Sequence, residues 1–160
     1  LIVGYPGGND VNLAMQRGEV KGRCGWSWSS VKSTQAAWVR DKTITILVQL
    51  SLAKHPDLPE VPLVMDLART DEQRTILKTI FARQVMGRPY AAPPNVPKER
   101  VDALRKAFDA TMADKDFLAE ADKIGLEITP VGGQKIQDLV AEVYKNTTPE
   151  IATKIADMLK

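Results

Sequence analysis

The period of the hydrophobic pattern changes along this chain, and each change marks an element. Leu1-Ile2-Val3-Gly4-Tyr5 is an apolar run stopped by Pro6-Gly7-Gly8, which predicts a short strand entering a turn. From Asp10, small and apolar residues fall at Val11, Ala14, Met15 and Gly18. That is the spacing of one helix face, with Asn9 or Asp10 as N-cap and Gly18 as the stop. Val20 to Trp26 is a weaker strand candidate because it holds Lys21, Gly22 and Arg23. Ser27, Ser29 and Ser30 then offer caps to a helix reaching Trp38 and Val39. Ile44 to Leu50 is the strongest strand signal, a near-continuous apolar run of the kind buried on both faces of a parallel sheet. Strand and helix in alternation predict an α/β sheet with right-handed crossovers.

The rest of the chain reads mainly as helix. A proline-punctuated loop, His55 to Pro62, precedes a helix predicted over 71–82 with Ile76, Leu77 and Ile80 on one face. Residues 83–92 read as extended and Pro93-Pro94 as a boundary. Pro97 suits a first helical turn, where its missing N–H costs nothing, and Val101, Leu104, Phe108 and Met112 follow as a stripe. Asp114 is placed to cap a helix carrying Phe117, Leu118, Ala121 and Ile124, closed by Gly125. Leu126 to Val131 is a short strand candidate, and Gly132-Gly133 opens a helix bearing Ile136, Leu139, Val140, Val143 and Tyr144. Thr147 and Glu150 have capping-box spacing ahead of a last helix with Ile151, Ile155, Met158 and Leu159.

Composition narrows the class. With 160 residues, 44% hydrophobic and 26% charged, the chain has the make-up of one ordinary globular domain. Its 22 basic and 20 acidic side chains are too evenly balanced for a nucleic-acid partner. It has no apolar run long enough to embed it in a membrane. The single cysteine, Cys24, cannot form an internal disulfide. Leu1-Ile2-Val3 shows neither an initiator Met nor a charged leader, an opening expected of a cut or processed chain.

Two junctions carry the candidate chemistry. At Gly7-Gly8-Asn9-Asp10 a strand candidate meets a helix start, whose first N–H groups lack intrahelical partners and can receive an anion. Two glycines also serve a plain turn. No P-loop lysine and no three-glycine fingerprint follow, which argues against a nucleotide. At Arg23-Cys24-Gly25-Trp26-Ser27-Trp28-Ser29-Ser30, aromatic walls stand beside hydroxyl donors, as in a pocket, although the tryptophans would equally serve as core and the serines as caps. Catalysis would have to pair Cys24 or a serine with His55, which lies in a proline-rich loop without a nucleophile elbow. Metal-ligand spacing is missing. The chain reads as a protein without bond chemistry, without a cofactor and without a metal.

Three segments in fixed order carry a family resemblance. They are Val3-Gly4-Tyr5-Pro6-Gly7-Gly8-Asn9 with Ala14-Met15-Gln16-Arg17-Gly18-Glu19-Val20, then Lys54-His55-Pro56-Asp57-Leu58-Pro59-Glu60-Val61-Pro62, then Ala91-Ala92-Pro93-Pro94-Asn95-Val96-Pro97 running into Val101-Asp102-Ala103-Leu104. Together they resemble the C-terminal half of the extracytoplasmic solute-binding receptors of tripartite tricarboxylate transporters, the Bug-type receptors. The proline-spaced loop from Pro56 to Pro62 is the most specific of the three. Lys21 and the Gly25-Trp26-Ser27-Trp28 stretch depart from the family pattern, and the tryptophans would suit a bulkier or more aromatic acid.

The resemblance implies a type II periplasmic-binding-protein-like α/β fold, with residues 1–82 as its second lobe. Residues 83–160 would be the crossover and the C-terminal helices that pack on a first lobe outside this fragment. It implies a periplasmic receptor that captures a small di- or tricarboxylate or related organic acid and presents it to membrane permease subunits. A sensor or interaction module of the same fold is the alternative. The implied ligand contacts are the N–H groups from Gly7 through Gly8 and Asn9 to Asp10, the hydroxyls of Ser27 and Ser29, and walls from Tyr5 and Trp26. Helices whose stripes face a missing lobe would lead the fragment to self-associate.

Overall fold

The structure, a computed structural model, describes residues 2–160. Among the described residues the architecture is helical. It comprises α1 (Gly8–Gln16), α2 (Trp28–Thr34), α3 (Ala36–Arg40), α4 (Asp71–Met86), α5 (Lys98–Met112), α6 (Lys115–Lys123), α7 (Gly133–Asn146) and α8 (Pro149–Met158), with a 3-10 turn at Val64–Leu67. The only pairing of extended chain among them is an isolated parallel bridge between Gln49 and Leu63. The expected α/β sheet, and with it the type II periplasmic-binding-protein-like fold, is therefore overturned.

The reason lies in each strand candidate. Gly4 adopts φ +101° and interrupts the first run, whose Leu1 lies outside the described residues. Gly25, at φ +72°, turns the second, since positive φ is incompatible with a strand. Residues 44–50 hold a single bridge residue, Gln49, and no strand, because a β-branched run becomes a sheet only with a ladder partner. Leu47 is 76% exposed, the opposite of a strand buried on both faces. The backbone of Gln49 pairs instead with the proline loop, accepting from Val64 N at 2.9 Å and donating to Pro62 O at 2.8 Å. Residues 126–131 form no strand either.

The chain divides into two compact units, one ending at Ile44 and the other running Thr45–Lys160. In the first, α2 packs on α3, and Asn12, Ala14 and Val31 are buried. The helix expected to run from the serines to Val39 is broken at Gln35.

In the second unit, α4 is the hub and packs against α7, α8 and the 3-10 turn, while α5 packs on α6. Thr70 caps α4 by accepting from Gln73 N at 3.1 Å. The helix then runs to Met86, beyond the extended stretch expected from residue 83, and buries Ile76 and Ala82. Lys78 Nζ holds Glu142 Oε1 on α7, and Lys154 Nζ on α8 holds Glu72 Oε1, each at 2.5 Å. Asp114 accepts from Phe117 N at 2.8 Å, the cap its position foretold, and Gly125 leaves the helix at φ +66°. The last helix is capped by Thr148, which accepts from Ile151 N, rather than by Thr147. Thr147 Oγ1 instead meets Thr79 Oγ1 of α4 at 2.9 Å.

Among the described residues the buried polar side chains are Asn12 and Gln49. Gln49 satisfies both ends on backbone, donating to Leu58 O and Val61 O and accepting from His55 N at 2.7 Å. It fixes the proline loop. Asn12 has a different kind of partner.

Candidate functional site

Helix α1 opens at Gly8, with Gly7 as an extended N-cap that supplies no side-chain bond. The N–H groups of Gly8, Asn9 and Asp10 thus form the first turn, and the cap falls at Gly7, not at Asn9 or Asp10 as the spacing predicted. Gly8 and Asn12 are four residues apart and share a face of the helix. Across that face lies the guanidinium of Arg23. Its Nη1 donates to Gly8 O at 3.0 Å and to Asn12 Oδ1 at 2.9 Å.

The seat exists because position 8 has no side chain. A Cβ there would stand 2.6 Å from Nη2, 3.0 Å from Nη1 and 3.1 Å from Cζ. On its flat side the guanidinium lies over the Trp26 ring, with Cζ 4.6 Å from the centroid. Trp26 is in turn held edge-to-face against Trp38, at 6.1 Å between centroids and 88° between planes. An aromatic face under a cation is an electrostatic attraction that also removes water from one side of it.

The bonding pattern fixes what remains to be used. Nη1 has two hydrogens, and both have acceptors. Nε and Nη2 have none among the described residues. Those two nitrogens form one edge of a planar fork whose parallel donors match the two oxygens of a carboxylate. The same unit shows that edge filled: Arg40 Nε donates to Asp41 Oδ1 at 2.7 Å and Nη2 donates to Asp41 Oδ2 at 3.0 Å. This hydrogen bonding holds the Asp41 carboxyl below its ordinary value and raises Arg40.

The other sequence candidates stand as follows. Tyr5 is half-buried just before the turn, and Trp26 is the wall beneath Arg23. Ser27 is the N-cap residue of α2 but makes no side-chain cap bond, and Ser29 is exposed in its first turn. Neither hydroxyl has a hydrogen-bond partner among the described residues, so Arg23, not a serine, is the side-chain donor beside Gly8. Asn12 and Arg23 escaped the sequence reading. The available signal was a polar residue on the Gly8 face of a short amphipathic helix, with an arginine shortly after it.

Cys24 is exposed. In the second unit, His55 Nδ1 accepts from Asp57 N at 3.1 Å and Nε2 lies 3.3 Å from Glu127 Oε1. An open groove between α4 and α7, with Ala82, Leu139 and Val143 in its lining, is almost wholly apolar. It lacks the several converging polar groups that orient a small ligand. No group of three or more His, Cys, Asp or Glu suited to a metal occurs among the described residues. Nor is any helix among them long and apolar enough to cross a membrane. No protein-family model, curated protein or solved structure matches the chain.

Proposed function

We propose that this chain captures a small carboxylate on the Nε–Nη2 edge of Arg23, at the opening of α1. The observation that carries this reading is the orientation of the fork. One nitrogen is spent on Gly8 O and Asn12 Oδ1, the flat side rests on Trp26, and the parallel pair of donors is left over. A guanidinium already held in place loses little side-chain freedom when an anion arrives, which favours binding. The first-turn N–H groups and the dipole of α1 add positive field at the start of the same helix.

The resemblance to the tripartite transporter receptors supplies the rest of the proposal. On that basis the acid is captured in the periplasm and handed to a membrane permease. Closure of two α/β lobes is no part of it, because the described chain forms no sheet.

Titration of the ¹⁵N-labelled protein with acetate, butanoate, succinate and citrate tests the capture step. Binding should shift the Arg23 Nε–H resonance and the Gly8 and Asn9 amides together. A titration in which no carboxylate moves the Arg23 resonance rejects the proposal.

A further inference from the structure

The proline loop holds the chain's one histidine in an arrangement that only its neutral form can make. His55 opens the turn His55-Pro56-Asp57-Leu58, which Leu58 N closes by donating to His55 O at 3.0 Å. The ring is half-buried and joins two stretches of chain far apart in sequence. On its own loop, Nδ1 accepts from Asp57 N at 3.1 Å. Nε2 lies 3.3 Å from Glu127 Oε1, in the connection between α6 and α7. A backbone N–H can only donate, so Nδ1 must present its lone pair. The neutral ring therefore carries its proton on Nε2, where the Glu127 carboxylate accepts it. A main-chain amide sets the tautomer.

Proton uptake breaks this arrangement. It places a hydrogen on Nδ1, facing Asp57 N–H, and two donors cannot share a bond. A replacement acceptor stands close by, because Asp57 Oδ2 is 3.8 Å from Nδ1. At Nε2 the hydrogen bond to Glu127 becomes an ion pair as well. Two carboxylates thus face the ring, one from its own loop and one from the α6–α7 connection. Lys54, its neighbour in sequence, directs Nζ to Pro59 O at 2.9 Å. The remainder of the loop is pinned by the buried Gln49, which accepts from His55 N at 2.7 Å and donates to Leu58 O at 2.8 Å and Val61 O at 3.0 Å. The change is thereby confined to the turn and to the link with Glu127.

We propose that His55 is a proton-operated clasp: neutral, it holds the Asp57 main chain through Nδ1; protonated, it releases that amide, takes the Asp57 carboxylate and ion-pairs with Glu127. One proton moves from solvent to Nδ1, and no other covalent bond changes. Acidification converts a turn held by its backbone into a loop held to the α6–α7 connection by charge. The clasp does not depend on carboxylate capture, since Arg23 belongs to the other unit.

NMR on the full ¹⁵N-labelled chain between pH 8 and pH 5, the window in which histidines change charge, tests the clasp. At pH 8 the ring nitrogens should show a protonated Nε2 and an unprotonated Nδ1. As the ring charges, the Asp57 amide should shift along the same titration curve. Its protection against solvent exchange, relative to unstructured chain, should fall about tenfold, or about 1.4 kcal/mol. The amides flanking Glu127 should follow the same curve. In Glu127→Gln their step should vanish while the Asp57 step remains, and in His55→Gln both should vanish. A ring protonated on Nδ1 at pH 8 would overturn the proposal. An Asp57 amide that keeps its shift and protection while the ring titrates would overturn the release. Unmoved amides around Glu127 would overturn the link between the two stretches. The tautomer and the exchange of Asp57 are read on the unaltered protein, so the proposal stays testable if a variant fails to fold.

Discussion

Two helices in this protein begin in the same way and end up with different chemistry. Both α1 and α7 open on the second glycine of a Gly-Gly pair, and at both an arginine from elsewhere in the chain lies against that glycine. At α1 the arginine is Arg23; at α7 it is Arg105 of α5, whose Nε would stand 2.7 Å from a Cβ on Gly133. The difference is in where the donors go. Arg23 spends both bonds on one nitrogen, Nη1. Arg105 distributes its bonds over both terminal nitrogens, Nη1 to Gln134 Oε1 and Nη2 to Gln137 Oε1 and Gly133 O. With Nη2 engaged, neither edge of Arg105 keeps a parallel pair. The same seat is thus a closed strut between α5 and α7 and an open fork at α1. An arginine near a helix start says little by itself, and the count of unspent parallel donors separates a spent brace from a guanidinium that still has donors to offer.

The sharpest way to break this comparison is to remove each fork in turn. Arg23→Gln should weaken carboxylate binding by about 1.5–3 kcal/mol, the usual worth of hydrogen bonds to charged groups, which is roughly ten- to 150-fold in dissociation constant. Arg105→Gln should leave binding unchanged. If the Arg105 variant loses affinity equally, the distinction between the two seats is wrong. The two should also differ in stability. Without Arg23 the buried Asn12 Oδ1 loses its donor, at a cost of about 1–3 kcal/mol, whereas the side-chain partners of Arg105, Gln134 and Gln137, are exposed and can turn to water. Urea unfolding of both variants measures that contrast.

A subtler substitution leaves the arginine in place and removes its seat. Gly8→Ala puts a methyl group where the guanidinium rests, and the end of an arginine is free to swing away. Alanine also favours a helix interior over glycine by about 0.5–1 kcal/mol, so α1 itself should not suffer. Affinity should fall about fivefold or more while helix content holds, given that 1.4 kcal/mol is a factor of ten. Gly133→Ala should displace Arg105 in the same manner without affecting the ligand. Unchanged affinity in Gly8→Ala would mean that the seat does not prepare the fork for binding.

These contrasts also show which parts of the molecule were legible in the sequence. Helices with a strong stripe and a local cap were, because both signals act within a few residues. Asp114 with Phe117, Gly125 at the exit and the run after Gly132 are instances. The sheet was not, because a β-branched run such as 44–50 encodes extended chain but not its partner, and here Gln49 binds the proline loop instead. At the site, the glycine-rich helix start was visible as a backbone feature. Arg23 was not, because its role depends on a missing Cβ 15 residues back and on a buried amide 11 residues back. The lobe architecture that the resemblance implies rests on loop motifs, and loop motifs do not specify strand pairing.

The smallest expected effects are acid titrations, and they probe the filled fork at Arg40. Asp41 is held below its ordinary value by its hydrogen bonds to Arg40, with slight desolvation acting the other way. Glu150 is lowered by the Thr148 hydroxyl first and by its own backbone N–H second. A carboxylate depressed on folding contributes stability that is present above its unfolded value and is lost as the pH falls through its folded value. For Asp41 that loss belongs below pH 3.8, and for Glu150 below pH 4.5. Both groups are exposed, so the slopes should be shallow. Side-chain NMR titration should return Asp41 to its ordinary value in Arg40→Gln and Glu150 toward its own in Thr148→Ala. The Arg40 result bears on Arg23 directly, because an acid held by the same guanidinium edge should have its own ionisation depressed. Binding should therefore persist to a pH somewhat below the free acid's titration and then fail. If Asp41 titrates the same in Arg40→Gln, the guanidinium edge does not favour the ionised carboxylate at this surface, and the case for Arg23 as its counterpart weakens with it.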